Sequence, residues 1–303
     1  MSFTTQVKEE VMQTSQPSYS ELSAFIKMSG SLGLSGQGLT LSVTTQNAKI
    51  ARYIYGLFED LFEVTPDLSY HYKSNLKKNR VYTVLISQAV EAILADLRLA
   101  DSFFGEAQGI SPDIIADERK ARDYLRGAFL ATGSVTHPET GKYQLEIASV
   151  YADHATDLAQ LLRLFMLDAK ILERKKGTIT YLQKAEDIID FLIVIGAMSC
   201  MEEYESVKLM REARNDINRA SNAEAANIAK TVTASMKTID NIIRLRDNQV
   251  FEGLSSDLQQ IANLRIAHPD YSLAQLGALL NPPLSKSGVN HRLRKLNQLA
   301  KEI

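Results

Sequence analysis

The stretch at residues 125–133 reads LRGAFLATG and decides how the rest of the chain is interpreted. A weaker copy, LSAFIKMSG, occurs about a hundred residues earlier, at residues 22–30. Both stretches are apolar and rich in small residues, and both end in a glycine that is followed by serine. Small side chains on a helix allow a second helix backbone to approach closely. The two stretches therefore predict a helix pair that joins two similar half-domains about a pseudo-twofold axis.

The segments that follow each stretch repeat in the same order. In both halves the apolar periodicity predicts helix, strand, helix, two-stranded hairpin and helix, over residues 19–100 and again over 113–198. A shift of 107 positions aligns Ser42 with Ser149. A repeated order of elements is stronger evidence than either stretch alone. We therefore predict one α+β domain, a two-repeat pseudo-dimer, over residues 1–200.

Two local details of the first repeat are also predicted. Ser18 and Glu21 have the spacing of a capping box, which would begin the first helix of the pair. The glycine-rich segment 30–38 lacks the lysine of a phosphate-binding loop, so we predict a flexible turn there.

The helix pair resembles the LAGLIDADG motif of homing endonucleases, in which two such helices form the central seam. Active members of that family carry a metal-binding acidic residue in the last turn of each helix. Aligned on the closing glycines, these positions hold residues without a carboxylate: Lys27, Ser29, Leu130 and Thr132. Hard cations need oxygen ligands, and two-metal phosphodiester cleavage needs them at the active centre. We therefore expect the scaffold without catalytic residues, a metal or a cofactor.

The composition is that of a soluble globular protein, with 45% hydrophobic and 23% charged residues. One cysteine, Cys200, excludes an internal disulfide framework and is typical of a reducing compartment. The sequence has neither a signal-peptide pattern nor an apolar run long enough to span a membrane. We expect a cytoplasmic, nucleoid-associated protein without membrane contact.

The charge is unevenly distributed, although the net charge is only −2. From Tyr204 onward the chain carries 14 Lys and Arg residues against 10 Asp and Glu residues. From Asp270 onward the numbers are five and two. A basic end on an acidic body indicates an anionic partner at that end.

The C-terminal third differs from the repeats in its sequence pattern. Residues 201–252 form a predicted helical linker, which Arg219 to Asn222 can divide into two rods. Residues 253–303 contain three short helical patterns, and tight turns separate them. This layout predicts an all-α helix-turn-helix domain.

The last of these helices has two distinct faces. Val289, Leu293, Leu296 and Ala300 line one face at helical spacing. The other side carries the hydroxyl, amide and basic groups that major-groove recognition requires. We predict that duplex DNA is bound by Ser285, Lys286, Ser287, Asn290, His291, Arg292, Arg294, Lys295 and Gln298. The alternative is a small packing module with a solvated basic face.

Basic residues also cluster at the two predicted hairpin tips. If the sheets form a saddle on DNA, secondary contacts would come from Lys77, Lys78, Arg80, Arg174, Lys175 and Lys176. Solvated turns favour lysine as well, and we prefer the interpretation that these tips are solvated turns without DNA contacts. Glu146 and Glu173 would oppose DNA if they faced the same surface.

The order of the domains and several short sequence motifs resemble those of the WhiA family of bacterial regulators. The resemblance covers essentially the whole chain. The most specific strings are YLRGAF at 124–129, the Asn218-Arg219 pair with Asn222, and SKSGVNHRL at 285–293. That family joins a degenerate LAGLIDADG domain to a C-terminal helix-turn-helix. The resemblance implies a transcription regulator with roles in cell division and chromosome segregation.

Three functions therefore remain open. The first is a non-catalytic protein that binds duplex DNA with sequence preference. The second is an active LAGLIDADG-type endonuclease. The third is a scaffold that recruits a protein partner through its N-terminal domain and is localised by its DNA module.

Overall fold

The structure, a computed structural model, describes residues 1–36, 38–72, 80–104, 108–175 and 177–303. The chain divides into two compact units, Met1–Arg211 and Glu212–Ile303. The proposed division at residues 200 and 252 stays a prediction. None of the helices in the described ranges combines the length and hydropathy that crossing a membrane requires.

The first unit contains the two predicted repeats, preceded by helix α1 (Phe3–Thr14). The first repeat consists of α2 (Tyr19–Ser29), β1 (Gly30–Ser35), β2 (Gly38–Thr45), α3 (Ala48–Phe62), β3 (Asp67–Tyr72), β4 (Arg80–Ile86) and α4 (Val90–Asp96). After a short helix α5 (Ala100–Phe104), the second consists of α6 (Glu118–Thr132), β5 (Ser134–Val135), β6 (Leu145–Ser149), α7 (Ala152–Leu164), β7 (Lys170–Arg174), β8 (Gly177–Leu182) and α8 (Ala185–Ile195). The predicted α+β repeat is confirmed.

Each repeat builds one four-stranded antiparallel sheet, and the two sheets have the same topology. The strand orders are β1-β2-β4-β3 and β5-β6-β8-β7. In the first sheet, Leu41 lies opposite Ile86 and Val43 opposite Val84, and all four side chains are buried. Alternation of side chains along a strand gives each sheet one face covered by the helices and one exposed face.

The prediction of a flexible turn at residues 30–38 is wrong for its first part. Gly30 to Ser35 form strand β1, which pairs along its whole length with β2. Glycine weakens a strand only modestly, so pairing with the apolar-alternating β2 determines the conformation here.

The two motif helices, α2 and α6, lie against each other and form the seam of the first unit. A Cβ atom added at Gly127 would overlap the carbonyl oxygen of Glu21, so the two backbones are in direct contact at this point. Phe25, one helical turn after Glu21, is fully buried. The glycine in the motif is therefore required by backbone approach.

The predicted capping box at the start of α2 is not formed, since Ser18 makes no side-chain cap hydrogen bond. Glu21 is instead fully buried, where it accepts a hydrogen bond from Tyr53 at 2.7 Å and lies 3.5 Å from Arg126. Burial raises the pKa of its carboxyl to about 7 against the opposing effects of Tyr53 and Arg126.

Helix α9 (Met198–Asp247) runs without interruption for 50 residues, so the predicted break at 219–222 is wrong. This part of the sequence contains neither proline nor glycine, and alanine, glutamate and arginine all favour continuous helix. Three helices follow: α10 (Ser256–Ala267), α11 (Leu273–Ala278) and α12 (Lys286–Leu299).

Candidate nucleic-acid interface

The second unit has its own hydrophobic core, built around α12. Val289, Leu293 and Leu296 point inward from this helix, as their spacing predicts. The core also includes residues from the end of α9, from the other two helices and from the segment after α11: Ile242, Leu245, Leu258, Ile261, Ala262, Leu276 and Leu280. The end of α9 therefore contributes to the core of the second unit.

The turn between α11 and α12 depends on one glycine. The N–H of Leu284 donates to the carbonyl of Gly277 at 2.9 Å, and a Cβ at Gly277 would overlap the carbonyl oxygen of Leu284. A capping box between Ser272 and Gln275 begins α11. These contacts fix the direction in which α12 leaves the turn.

The polar side of α12 is accessible to a ligand. Seven of the predicted residues are exposed along this helix and its cap: Ser285, Lys286, Ser287, His291, Arg294, Lys295 and Gln298. Asn290 is half-buried. Within the described ranges, neither Arg294 nor Lys295 forms an ion pair. Guanidinium, amide and hydroxyl groups are thus presented together on one rigid surface.

The start of α12 combines a side-chain cap with free backbone donors. Ser285 accepts a hydrogen bond from the N–H of Gly288 at 3.3 Å, and its hydroxyl lies 2.9 Å from that of Ser287. The N–H groups of the first turn and the helix dipole favour an anion at such a position. A phosphate can therefore be bound beside the exposed Lys286.

Arg292 differs from the other predicted contacts. Its guanidinium lies 2.8 Å from the carboxylate of Asp257 on α10, and its side chain is only 25% exposed. The structure thus uses Arg292 to join α12 to α10, and its contact with phosphate stays a prediction.

Two hydrogen-bonded groups hold the interface in position, and neither was predicted from the sequence. Asn297 accepts a hydrogen bond from Asn241 of α9 at 2.9 Å and donates to Thr238 at 3.3 Å. Arg265 is 3% exposed and donates to Ser235 and to the carbonyl of Tyr271. The sequence shows polar residues at short intervals along the end of α9, but it does not show their partners. Asn297 is 56 residues from Asn241, and Arg265 is 30 residues from Ser235.

The last turns of the seam helices are occupied by structural contacts. Lys27 donates to Ser102 at 2.7 Å, and burial lowers the pKa of its ammonium to about 8. Leu130 is buried, and Thr132 donates to the carbonyl of Ala148 at 2.8 Å. Within the described part of the chain, no three His, Cys, Asp or Glu side chains are grouped to hold a metal ion.

At the hairpin tips, the described arginines contact their own sheets. Arg80 donates to the hydroxyl of Tyr72 at 3.2 Å, and Arg174 lies 2.9 Å from the carboxylate of Glu146. Lys175 is exposed in its turn. Three further predicted contacts lie outside the described residues: Lys77, Lys78 and Lys176. The strand register puts Glu146 and Glu173 on opposite faces, so only Glu146 shares a face with Arg174.

Comparison with known proteins identifies the family. The chain is 63% identical to the probable cell division protein WhiA of Streptococcus pyogenes serotype M1, and the match covers the full length of both proteins. The chain belongs to the WhiA family. The corresponding protein of S. pyogenes serotype M49 is 62% identical, again over both full lengths. The resemblance stated from the sequence is confirmed.

Three WhiA family models match successive parts of the chain. The WhiA N-terminal LAGLIDADG-like domain covers residues 15–100 and the WhiA LAGLIDADG-like domain covers 121–214. The WhiA C-terminal HTH domain covers 217–300. The last match includes much of α9, in agreement with the contribution of α9 to the core of the second unit.

Solved WhiA structures have the same fold. The crystal structure of full-length WhiA from Thermatoga maritima matches with a TM-score of 0.58 and 25% identity, covering 100% of this chain and 98% of that one. A crystal structure of a WhiA N-terminal LAGLIDADG domain matches with a TM-score of 0.50 and 23% identity, covering 64% of this chain and 90% of that one. These matches confirm the predicted fold class.

Proposed function

We propose that this WhiA-family protein is a non-catalytic DNA-binding regulator that recognises duplex DNA through α12. The observation that carries the proposal is the exposed polar side of α12, with Arg294 and Lys295 free of carboxylate partners in the described structure. An amphipathic helix held by its apolar side can enter the major groove with its polar side against base edges.

The expected division of roles follows from side-chain chemistry. Arg294 and Gln298 can each make two hydrogen bonds to one base, which discriminates between bases. Lys286 and Lys295 contribute charge that releases counterions from phosphates without reading sequence. Ser285 and the free N–H groups of the first turn would fix the register on the backbone.

The cellular role is proposed from the family. The S. pyogenes relatives are named probable cell division proteins. We propose that this protein binds near genes of cell division, regulates their transcription, contributes to chromosome segregation and resides on the nucleoid.

Fluorescence anisotropy with genomic fragments selected by footprinting tests DNA recognition. Arg294→Ala should weaken specific binding by about 1–3 kcal/mol, whereas Lys295→Ala should mainly reduce the dependence of affinity on salt, by about one unit of slope. Arg119→Ala, an exposed arginine of the first unit, is the matched control. Unchanged binding by both α12 variants would rule out α12 as the recognition helix.

The non-catalytic part of the proposal is tested separately. Incubation of supercoiled plasmid with the protein and either Mg²⁺ or Mn²⁺ should leave the plasmid intact. The four positions where active relatives of the fold place carboxylates hold Lys27, Ser29, Leu130 and Thr132 instead, so the ligands for two-metal cleavage are missing there. Metal-dependent nicking that follows the protein through purification would overturn this part.

A further inference from the structure

The central part of α9 is a helix with no buried residues. From Glu205 to Ala234, none of the residues is buried, and from Glu212 to Lys230 every residue is exposed. Helices in proteins usually owe their stability to the burial of one face. The stretch from Asn215 to Ala234 extends for about 29 Å at 1.5 Å per residue, so a long, mainly polar surface is available to a partner.

Between Asn215 and Lys237, one side of α9 carries cations and no carboxylate, whereas Glu212 and Asp240 lie just beyond the two ends of that side. At 100° per residue, the following residues share that side: Asn215, Asn218, Arg219, Asn222, Ala226, Ala229, Lys230, Thr233, Met236 and Lys237. Asp216 and Glu224 fall outside this set. We call the set the amide face of α9.

The cations of the amide face are available to a ligand. Within the described ranges, Lys230 and Lys237 form no ion pair. Arg219 lies 3.7 Å from Asp216, and both side chains are more than 70% exposed. Exposed pairs of this kind contribute little to stability, so a stronger anion can replace the carboxylate.

The residue types of the amide face fit the major groove of DNA. Asparagine can make two hydrogen bonds to adenine, and alanine can contact the methyl group of thymine. Small side chains also let the helix backbone come close to the bases, while lysine and arginine at the borders reach phosphates. Continuous helices are known to bind the major groove in this way.

The amide face and the polar side of α12 belong to the same compact unit. Asn297 joins α12 to Asn241 and Thr238 of α9 by hydrogen bonds. Lys237 directly precedes Thr238, and Gln298 directly follows Asn297. Both polar surfaces therefore belong to the second unit, in which these hydrogen bonds hold α12 against α9.

We propose that the amide face of α9 is a second DNA-contacting surface, which lies against the duplex next to the site recognised by α12. The proposal rests on the proposed function, because it assigns an additional contact to the same DNA partner. The segment from Asn215 to Lys237 spans about 33 Å, close to one turn of B-DNA. The footprint should therefore extend about one helical turn beyond the α12 site.

The first test measures the salt dependence of binding to a 40-base-pair duplex of mixed sequence, using full-length protein. The triple variant Arg219→Ala, Lys230→Ala and Lys237→Ala should lower the slope of log K against log salt by about 2–3, since each lost phosphate contact removes about 0.9. The matched control replaces three exposed cations of the first unit, Arg119, Lys120 and Lys142, with alanine. Alanine preserves helix propensity, and circular dichroism checks the helix content.

The second test is position-specific photo-crosslinking. A benzophenone amino acid at Asn222 lies on the amide face, whereas the same group at Asn227 lies about 140° away on the same exposed helix. Crosslinking to DNA from position 222 and not from 227 supports the proposal.

The outcomes separate the two proposals. Equal crosslinking from both positions, or a slope for the triple variant equal to that of the control, overturns the contact by α9 while Arg294→Ala still weakens binding. If Arg294→Ala also leaves specific binding unchanged, the proposed function fails together with this inference.

Discussion

Replacing Gly127 with alanine should push the two seam helices apart. The added Cβ would overlap the carbonyl oxygen of Glu21 and lie 2.8 Å from its carbonyl carbon. Nonbonded carbon atoms are about 3.5–4.0 Å apart at their best separation, so α2 and α6 must move by about 1 Å. Phe25, which is buried one turn after Glu21 on α2, would then lose contact with its neighbours.

The expected cost is about 3 kcal/mol, the upper end for overpacking of a well-packed core. For a unit of this size, this corresponds to a fall of about 6–12 °C in melting temperature. Circular dichroism gives the melting curve, and hydrogen exchange of α2 and α6 peptides assigns the loss to the first unit.

Gly56→Ala is the control, because Gly56 lies inside α3 and an added Cβ there meets no atom within 4 Å. Alanine at such a position should stabilise the helix by about 0.5–1 kcal/mol. If Gly127→Ala melts within about 2 °C of the unmodified protein, the helices are not in backbone contact and the account of the seam is wrong.

Two further predictions concern a buried charge and the turn of the second unit. Since burial raises the pKa of Glu21 from 4.5 to about 7, the folded state binds this proton more tightly, and stability should fall as pH rises from about 4.5 to 7. Urea unfolding of Glu21→Gln should show a smaller fall over that range; an equal fall would exclude Glu21 as its source. Gly277→Ala should weaken specific DNA binding at least about tenfold by displacing the turn before α12, a loss of about 1.4 kcal/mol. Gly253→Ala, where an added Cβ is unobstructed, should bind normally, and equal affinities would show that the turn tolerates a side chain.

Several features could be predicted because they depend on local periodicity. The apolar spacing of α12 places Val289 and Leu293 inward whatever surrounds the helix, so its exposed side could be inferred from the sequence. The repeat was recognisable for a related reason, since each half must bury the same helix and strand faces.

The errors occurred where a local signal competes with a distant contact. The spacing of Ser18 and Glu21 is typical of a helix cap, but Tyr53 and Arg126 bind Glu21 at the seam. Glycine-rich residues 30–35 favour a turn locally, yet the hydrogen bonds of β2 hold them as a strand. Local preferences amount to only about 1 kcal/mol, which tertiary contacts readily exceed.

Residue order and helical spacing were enough to infer the family, the duplicated α+β architecture and the side of α12 that is free to bind a partner. Three contacts became evident in the folded chain alone: Arg292 pairs with Asp257, Gly127 touches the backbone of Glu21, and the end of α9 packs into the core of the second unit. Such contacts join residues far apart in the chain, and their formation depends on close packing and desolvation that no local pattern encodes.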